Sequence, residues 1–297
     1  MSRFAAGAGL RLLAVFLITC MSALIHAVGE AAALGQIIFW RSAVALVPII
    51  LYMAVCGDFP AALRTRRPGS HALRSLFGAF SMGCSFLSLI YLPVANASAL
   101  GYLAPVLTLP LAALWLGERL TPRLALAVAA GFGGAMAFLW EALEAPGSGA
   151  LTGLAAGLAY ALTMAVMRVH VKQLTKTEST ASIAFYFALT CAVVGLASLP
   201  FGWPVLPIWQ IAALAGAGLL GGLAHIAATE AIARAPVSAI APFDFTGLAW
   251  AAGFDLVIFA HLPGLWGSIG MAAILTAALL ALRPGRASAP AESFSPR

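Results

Sequence analysis

The sequence predicts an all-α membrane protein: ten transmembrane helices arranged as two inverted five-helix repeats, with both termini on the cytoplasmic side. Three observations predict it. The 297 residues are 62% hydrophobic and 9% charged, against about 25% charged in a soluble domain; so little charge cannot cover a water-facing surface. The apolar residues fall in continuous runs close to the ~20 residues that one helical crossing needs, and not in the short alternating segments of an outer-membrane barrel. Finally, the stretch from Leu92 to Leu126 returns in altered form later in the chain without a gap. Pro93-Val94 aligns with Pro236-Val237, Tyr102 with Phe245, Glu118 with His261 and Ala127 with Gly270.

Ten runs follow one another, at residues 10–29, 35–56, 72–92, 94–116, 122–140, 149–171, 181–200, 208–233, 237–260 and 263–282. The first, behind Arg3 and Arg11, imitates a signal peptide, but no cleavage site ends it and nine more runs follow, so it reads as a retained helix. With the N-terminus cytoplasmic, the inner segments hold Arg3 and Arg11; Arg64, Arg66, Arg67 and Arg74; Arg119 and Arg123; Arg168, Lys172 and Lys176; Arg234; and Arg283, Arg286 and Arg297. That is 15 of the 16 Lys and Arg. The remaining one, Arg41, lies inside the second run. The outer loops hold Glu30, Glu141 and Glu144 instead. This asymmetry is the positive-inside rule, and it assigns the net charge of +6 to a cytoplasmic face and not to nucleic acid.

Five helices per half is an odd number, so the second half enters the membrane from the opposite side and the repeats are inverted. The first repeat is expected over residues 1–143 and the second over 144–283, joined by the breaker-rich outer loop Glu141–Gly149. The polar, proline-containing tail 284–297 is expected to be disordered in the cytoplasm. Cys20, Cys56, Cys84 and Cys191 are isolated, with no CxxC or metal spacing, and read as small packing residues. Gly216, Gly218 and Gly221 match GxGxxG, but inside an apolar helix with no preceding strand. With Gly153 and Gly157 they read as close helix packing.

The stretches ASALGYLAPVLTLPLAALWLGERLTPRLALAVAAGFGGA and RAPVSAIAPFDFTGLAWAAGFDLVIFAHLPGLWGSIGMAAIL resemble the ends of two EamA domains, which define the drug/metabolite transporter superfamily. Leu116-Gly117-Glu118-Arg119 before Thr121-Pro122 is typical, as is Ala235-Pro236-Val237 followed by Ala241-Pro242-Phe243-Asp244. Where the family often has a second Gly-Glu turn, this chain has Ala260-His261-Leu262-Pro263. The resemblance covers residues 10–282. It implies a ten-helix inverted-repeat carrier of the bacterial inner membrane and, by overall style, the amino-acid exporter branch that includes YddG-type aromatic amino-acid exporters.

Ionisable residues at membrane depth are costly and point to function first. Asp244 follows Pro242, which frees backbone carbonyls, and lies among Phe243, Phe245 and Trp250. It either holds a substrate ammonium or a proton, or anchors a neighbouring helix. Glu230 stands four residues before Arg234, the favourable order for a structural pair, with proton coupling as the other reading. His225 is deeper in the same run and a candidate for the cavity wall, as is His26. Arg41 either attracts a substrate carboxylate or snorkels outward. Asp255 is expected near the outer water. Tyr102, Phe80, Tyr160, Trp250 and Phe245 are interior aromatics that can line a pathway, whereas Trp140, Trp203 and Trp209 sit at predicted ends as an interfacial belt.

These features favour a secondary transporter that exports small metabolites, amino acids first, by alternating access at a midplane cavity. Nucleotide derivatives, vitamin-like compounds or drugs are alternative cargo on the same fold, in either direction, and a passive facilitator is an alternative mechanism. An intramembrane aspartyl enzyme needs two adjacent carboxylates. Asp244 and Asp255 are eleven residues apart on one predicted helix, about 16 Å, so the chain reads as a non-enzyme. No cofactor or metal is expected. The expected partners are a small-molecule substrate, the lipid bilayer and protons, with the chain a monomer or weak dimer.

Overall fold

The computed structural model describes residues 3–56, 59–60, 65, 68–104, 107, 122–144, 149–174, 180–234, 243–244, 246–261 and 263–282. Its α-helices are α1 (Arg3–Val28), α2 (Leu34–Val55), α3 (Pro68–Tyr91), α4 (Val94–Gly101), α5 (Pro122–Glu144), α6 (Ala150–Leu174), α7 (Thr180–Leu196), α8 (Ile208–Arg234), α9 (Thr246–Val257) and α10 (Leu265–Leu282). Each described helix overlaps one predicted run, and no strand occurs among the described residues. Among the described residues, six segments are long and apolar enough to cross a membrane: Ala5–Ala31, Leu34–Val55, Pro68–Tyr91, Ala150–Met167, Ala181–Phe201 and Ile208–Ala228. Residues 105–106 and 108–121 of the Leu92–Leu126 stretch, Phe245 and the tail 284–297 lie outside the described residues.

Local chemistry sets several boundaries. Gly29, at a φ of 53°, ends α1, and Gly149, at 105°, precedes α6; both are left-handed conformations that glycine adopts without a Cβ clash. Pro68 opens α3, where a missing N–H costs nothing. After α9 the chain turns through Ala260 at a φ of 51°, a left-handed position held here by a residue with a Cβ.

Helix faces follow the 3.6-residue period. On α3, His71, Ser75, Ala79, Met82, Phe86 and Leu89 are buried, while Leu73, Leu76, Phe77 and Phe80 form an exposed apolar stripe. An exposed apolar stripe of this kind matches lipid. Close approach between helices uses glycine. A Cβ on Gly218 of α8 would stand 2.8 Å from the Arg41 carbonyl oxygen of α2, and one on Gly157 of α6 would stand 2.5 Å from Leu100 Cδ1 and 2.9 Å from Ser88 Oγ. The predicted packing role of these glycines is therefore what the helices use.

α1 packs on α8 and α9, α2 on α7 and α8, α3 on α6 and α7, α4 on α6 and α9, and α5 on α10. Replacing each helix by the one five places along turns α1–α8 into α6–α3, α2–α8 into α7–α3 and α1–α9 into α6–α4. It returns α2–α7, α4–α9 and α5–α10 to themselves. The principal pairings are thus unchanged when the two sets of five helices are exchanged.

Candidate functional site

The inward face of α8 organises the site. Leu214, Gly218 and Gly221 are buried at helical spacing, and His225 continues their stripe. The lipid-facing Leu219 and Leu223 are exposed, and His225 stands about 200° round the helix from Leu223. Yet the His225 side chain is exposed too. It faces Phe187 of α7 with ring centroids 6.4 Å apart. An exposed ring on the inward face marks an opening between helices.

Two arginines converge on this opening. Arg41 belongs to the buried face of α2 with Ile37, Ala45 and Pro48 and is 6% exposed. Gly221 makes room for it: a Cβ there would lie 3.2 Å from both Arg41 Nε and Nη2. Arg74, one turn from buried His71 on α3, lays its guanidinium over the Phe187 ring at 4.8 Å from the centroid. A Cβ on Gly78, one turn further along α3, would press to 2.6 Å from the same ring. Phe187 links the two: it lies under Arg74 and faces His225, one turn along α8 from the Gly221 that contacts Arg41. Arg41 Nε and Arg74 Nε and Nη1 are buried without a hydrogen-bond partner among the described residues. The second option for Arg41, snorkelling outward, does not occur at this burial.

Arg74 is the residue that sequence reasoning missed. The charge pattern groups it with Arg64, Arg66 and Arg67 on the inner side, and it lies inside α3, between the buried residues His71 and Ser75. The readable signal was its position a turn and a half inside a helix that starts at Pro68, on the polar stripe His71, Arg74, Ser75.

The carboxylates lie elsewhere. Asp244 is ion-paired with Arg11 of α1, through Nε to one carboxylate oxygen and through Nη2 to the other at 2.6 Å. Tyr102 donates to the Asp244 backbone oxygen at 2.6 Å, so the aligned segments of the two halves meet at this residue. Tyr160 joins the same neighbourhood: a Cβ on Gly101 would lie 3.2 Å from its ring. Glu230 accepts from Tyr52 of α2 and from Arg234; the Tyr52 hydroxyl, then Arg234, hold its carboxyl below the usual carboxylate range. Asp255, expected near water, is instead 1% exposed. It accepts the backbone N–H groups of Val94 at 2.9 Å and Ala95 at 2.6 Å, because the first turn of α4 presents donors with no intrahelical partner.

The remaining candidates divide. His26 bonds through Nδ1 to the Leu89 carbonyl of α3 and packs edge-on against Phe259. Trp250 is 44% exposed and meets Phe16 of α1 edge-on at 5.1 Å. Phe80 belongs to the outer stripe of α3, 59% exposed, away from the opening. Phe245 lies outside the described residues. Of the sequence-selected residues, the structure therefore brings Arg41 and His225 together in one place, and Asp244, Tyr102 and Tyr160 in another.

Comparison with known proteins now adds to this geometry. The EamA-like transporter family model matches residues 5–140. The riboflavin transporter of Brucella anthropi is 30% identical over 257 residues, covering 83% of this chain and 87% of that protein. The chain belongs to the EamA-like transporter family, within the drug/metabolite transporter superfamily. Among other relatives of this EamA-like protein, the pseudopaline exporter CntI of Pseudomonas aeruginosa is 27% identical over 265 residues, 86% of this chain and 89% of its own. The S-adenosylmethionine uptake transporter of Rickettsia bellii is 26% identical over 225 residues, 76% and 74% of the two chains. A crystal structure of a further protein superimposes with a TM-score of 0.64 at 23% identity, covering 92% of this chain and 96% of the other, a likeness of fold. This EamA-like chain is a membrane transporter by family and not an enzyme.

Proposed function

We propose that this protein is a secondary carrier for small metabolites, built as two inverted five-helix repeats that rock about a central opening in the bacterial inner membrane. The observation that carries the reading is the opening beside His225, framed by α2, α3, α7 and α8, two helices from each set of five. The exchange-invariant pairing of the helices supports the inverted repeat, and the sorting of Lys and Arg supports termini on the cytoplasmic side. Repeats 1–143 and 144–283 are the units we expect to move as bodies.

The ion pair between Arg11 and Asp244 ties α1 of the first repeat to the segment entering α9 of the second. A carrier that exposes its site alternately to either side must loosen contacts of this kind in one state and restore them in the other. Asp244 then acts on transport through the pairing of the halves. Its role as a direct ligand for a substrate ammonium requires Arg11 to let go.

Relatives named as exporters and as uptake transporters both occur, and the cargo in their names is pseudopaline, riboflavin and S-adenosylmethionine. Direction is therefore not inherited from the family, and we propose amino acids as the first substrates to examine. The experiment is counterflow in proteoliposomes loaded with a panel of amino acids, riboflavin and S-adenosylmethionine. Accelerated entry of label into vesicles preloaded with the same compound identifies a carrier and its cargo. Label that equilibrates at the same rate in preloaded and empty vesicles identifies a passive facilitator and overturns the alternating-access reading.

A further inference from the structure

We propose that the opening between α2, α3, α7 and α8 is an anion site, in which Arg41 and Arg74 together hold the carboxylate of an organic substrate beside His225. The proposal rests on the carrier reading for the word substrate; the binding it predicts is tested separately.

Taking a guanidinium out of water is costly unless an opposite charge and hydrogen-bond acceptors replace the water. Arg41 is 6% exposed, yet its Nε finds no acceptor among the described residues, and neither do Nε and Nη1 of Arg74. The carboxylates described on or next to α8 and α9 are committed elsewhere: Asp244 to Arg11, Glu230 to Tyr52 and Arg234, and Asp255 to the start of α4. Arg41 packs against Gly221, one turn before His225, and Arg74 covers the Phe187 ring that faces His225, so both guanidiniums border the same opening. A fold that only needed packing would place apolar side chains here.

The shape of the surroundings selects the class of ligand. A guanidinium is a planar fork of donors that matches the two oxygens of a carboxylate. Phe187 takes one face of Arg74 by a cation–π contact, which leaves the in-plane N–H groups free to point at an acceptor. The exposed His225 ring across the opening adds a hydrogen-bonding edge. Phe187 supplies an apolar wall for the organic body attached to the carboxylate.

The test uses thermal melts of the purified full-length protein in lipid-free detergent, with benzoate, indole-3-acetate or malate added. Benzylamine and benzyl alcohol serve as shape-matched cation and neutral controls, and inorganic phosphate as a second oxyanion. At least one carboxylate is expected to raise the Tm by about 2 °C or more, with no rise from the amine or the alcohol. Arg41→Gln and Arg74→Gln are each expected to abolish that rise while melting, without additive, at or above the wild-type temperature. Arg41→Lys, which keeps the charge, is expected to retain part of the rise. The proposal is overturned if no carboxylate stabilises the protein, if the rise survives in the double Gln variant, or if the Gln variants melt well below wild type without ligand, which marks a structural role. A rise with phosphate alone replaces the carboxylate by a phosphate or lipid headgroup and overturns the class assigned here. Counterflow separates this failure from that of the carrier: a carboxylate shift without counterflow keeps the site and removes the carrier, whereas counterflow of a neutral or cationic metabolite with no carboxylate shift does the reverse.

Discussion

The carboxylate of Asp255 on α9 closes the first turn of α4 by accepting the Val94 N–H at 2.9 Å. Helix N-termini usually find such an acceptor on their own N-cap residue, but Pro93 precedes this helix and supplies no side-chain cap. The acceptor comes instead from the far half of the chain, buried at 1% exposure. Asp255→Ala leaves buried N–H donors unsatisfied and is expected to cost about 3 kcal/mol, seen as a Tm loss of several degrees in detergent. Asp255→Asn keeps one acceptor oxygen and is expected to lose less. Equal melting of the Ala variant and wild type would show that the cap contributes nothing.

Arg11 and Asp244 form a charged link between the halves, part-buried at 23% and 33% side-chain exposure. Arg11→Ala and Asp244→Asn are each expected to reduce counterflow severalfold while insertion and expression remain. Because both act through one pair, the double variant is expected to be little worse than either single one, with a coupling of about 1 kcal/mol in a double-mutant cycle on stability. Strictly additive losses would place the two residues in separate roles, and unchanged transport by Asp244→Asn would remove that carboxylate from the transport cycle.

At the end of α8, the Tyr52 hydroxyl and Arg234 hold the Glu230 carboxyl below its ordinary value of 4.5. A carboxyl depressed in the folded state stabilises the fold above its unfolded pKa and loses that contribution as pH falls through the folded one. Tyr52→Phe removes the larger cause, so the folded pKa rises towards the unfolded value. The variant is expected to melt lower at neutral pH and to show a weaker dependence of Tm on acidification than wild type. Melting curves from neutral pH down through the carboxylate range check this, and parallel profiles for the two proteins count against it.

Glycines on the helices separate by what surrounds them. At Gly218 a Cβ would meet Val44 Cβ at 2.7 Å and the Arg41 backbone oxygen at 2.8 Å, whereas at Gly253 nothing lies within 4 Å. Backbone cannot yield as a flexible side-chain tip does, so Gly218→Ala is expected to force α2 and α8 apart, lower the Tm and disturb the Arg41 region. Gly253→Ala removes only the conformational cost of glycine in a helix and is expected to be stabilising by about 0.5 kcal/mol. A Gly218→Ala protein as stable as wild type would mean that the α2–α8 contact is looser than this geometry.

Periodicity and charge made much of the fold legible. The apolar runs place a helix wherever the described chain has one, because a backbone in lipid satisfies its polar groups most simply as a helix. The Glu230–Arg234 pair was readable from i,i+4 spacing, and the packing role of Gly157 and Gly218 from small residues in apolar helices. Phe80 shows the limit: an aromatic inside a run is equally compatible with the pathway and with lipid, and only the arrangement of α3 against α6 and α7 puts it on the outer stripe.

The sequence by itself determined the solvent of this protein, its helical class, its family and the sorting of its charges, since each depends on composition or on spacing along one helix. The tertiary structure alone decided which charges meet. Arg11 and Asp244, Asp255 and Val94, and Arg41 with Arg74 lie on different helices, brought together by packing between elements far apart in the chain. Whether a buried charge is a neutralised anchor or an unsatisfied site depends on those neighbours. Asp244, the foremost candidate in the sequence, emerges with a partner of its own, and Arg74, counted among the cytoplasmic charges, stands beside Arg41 at the opening.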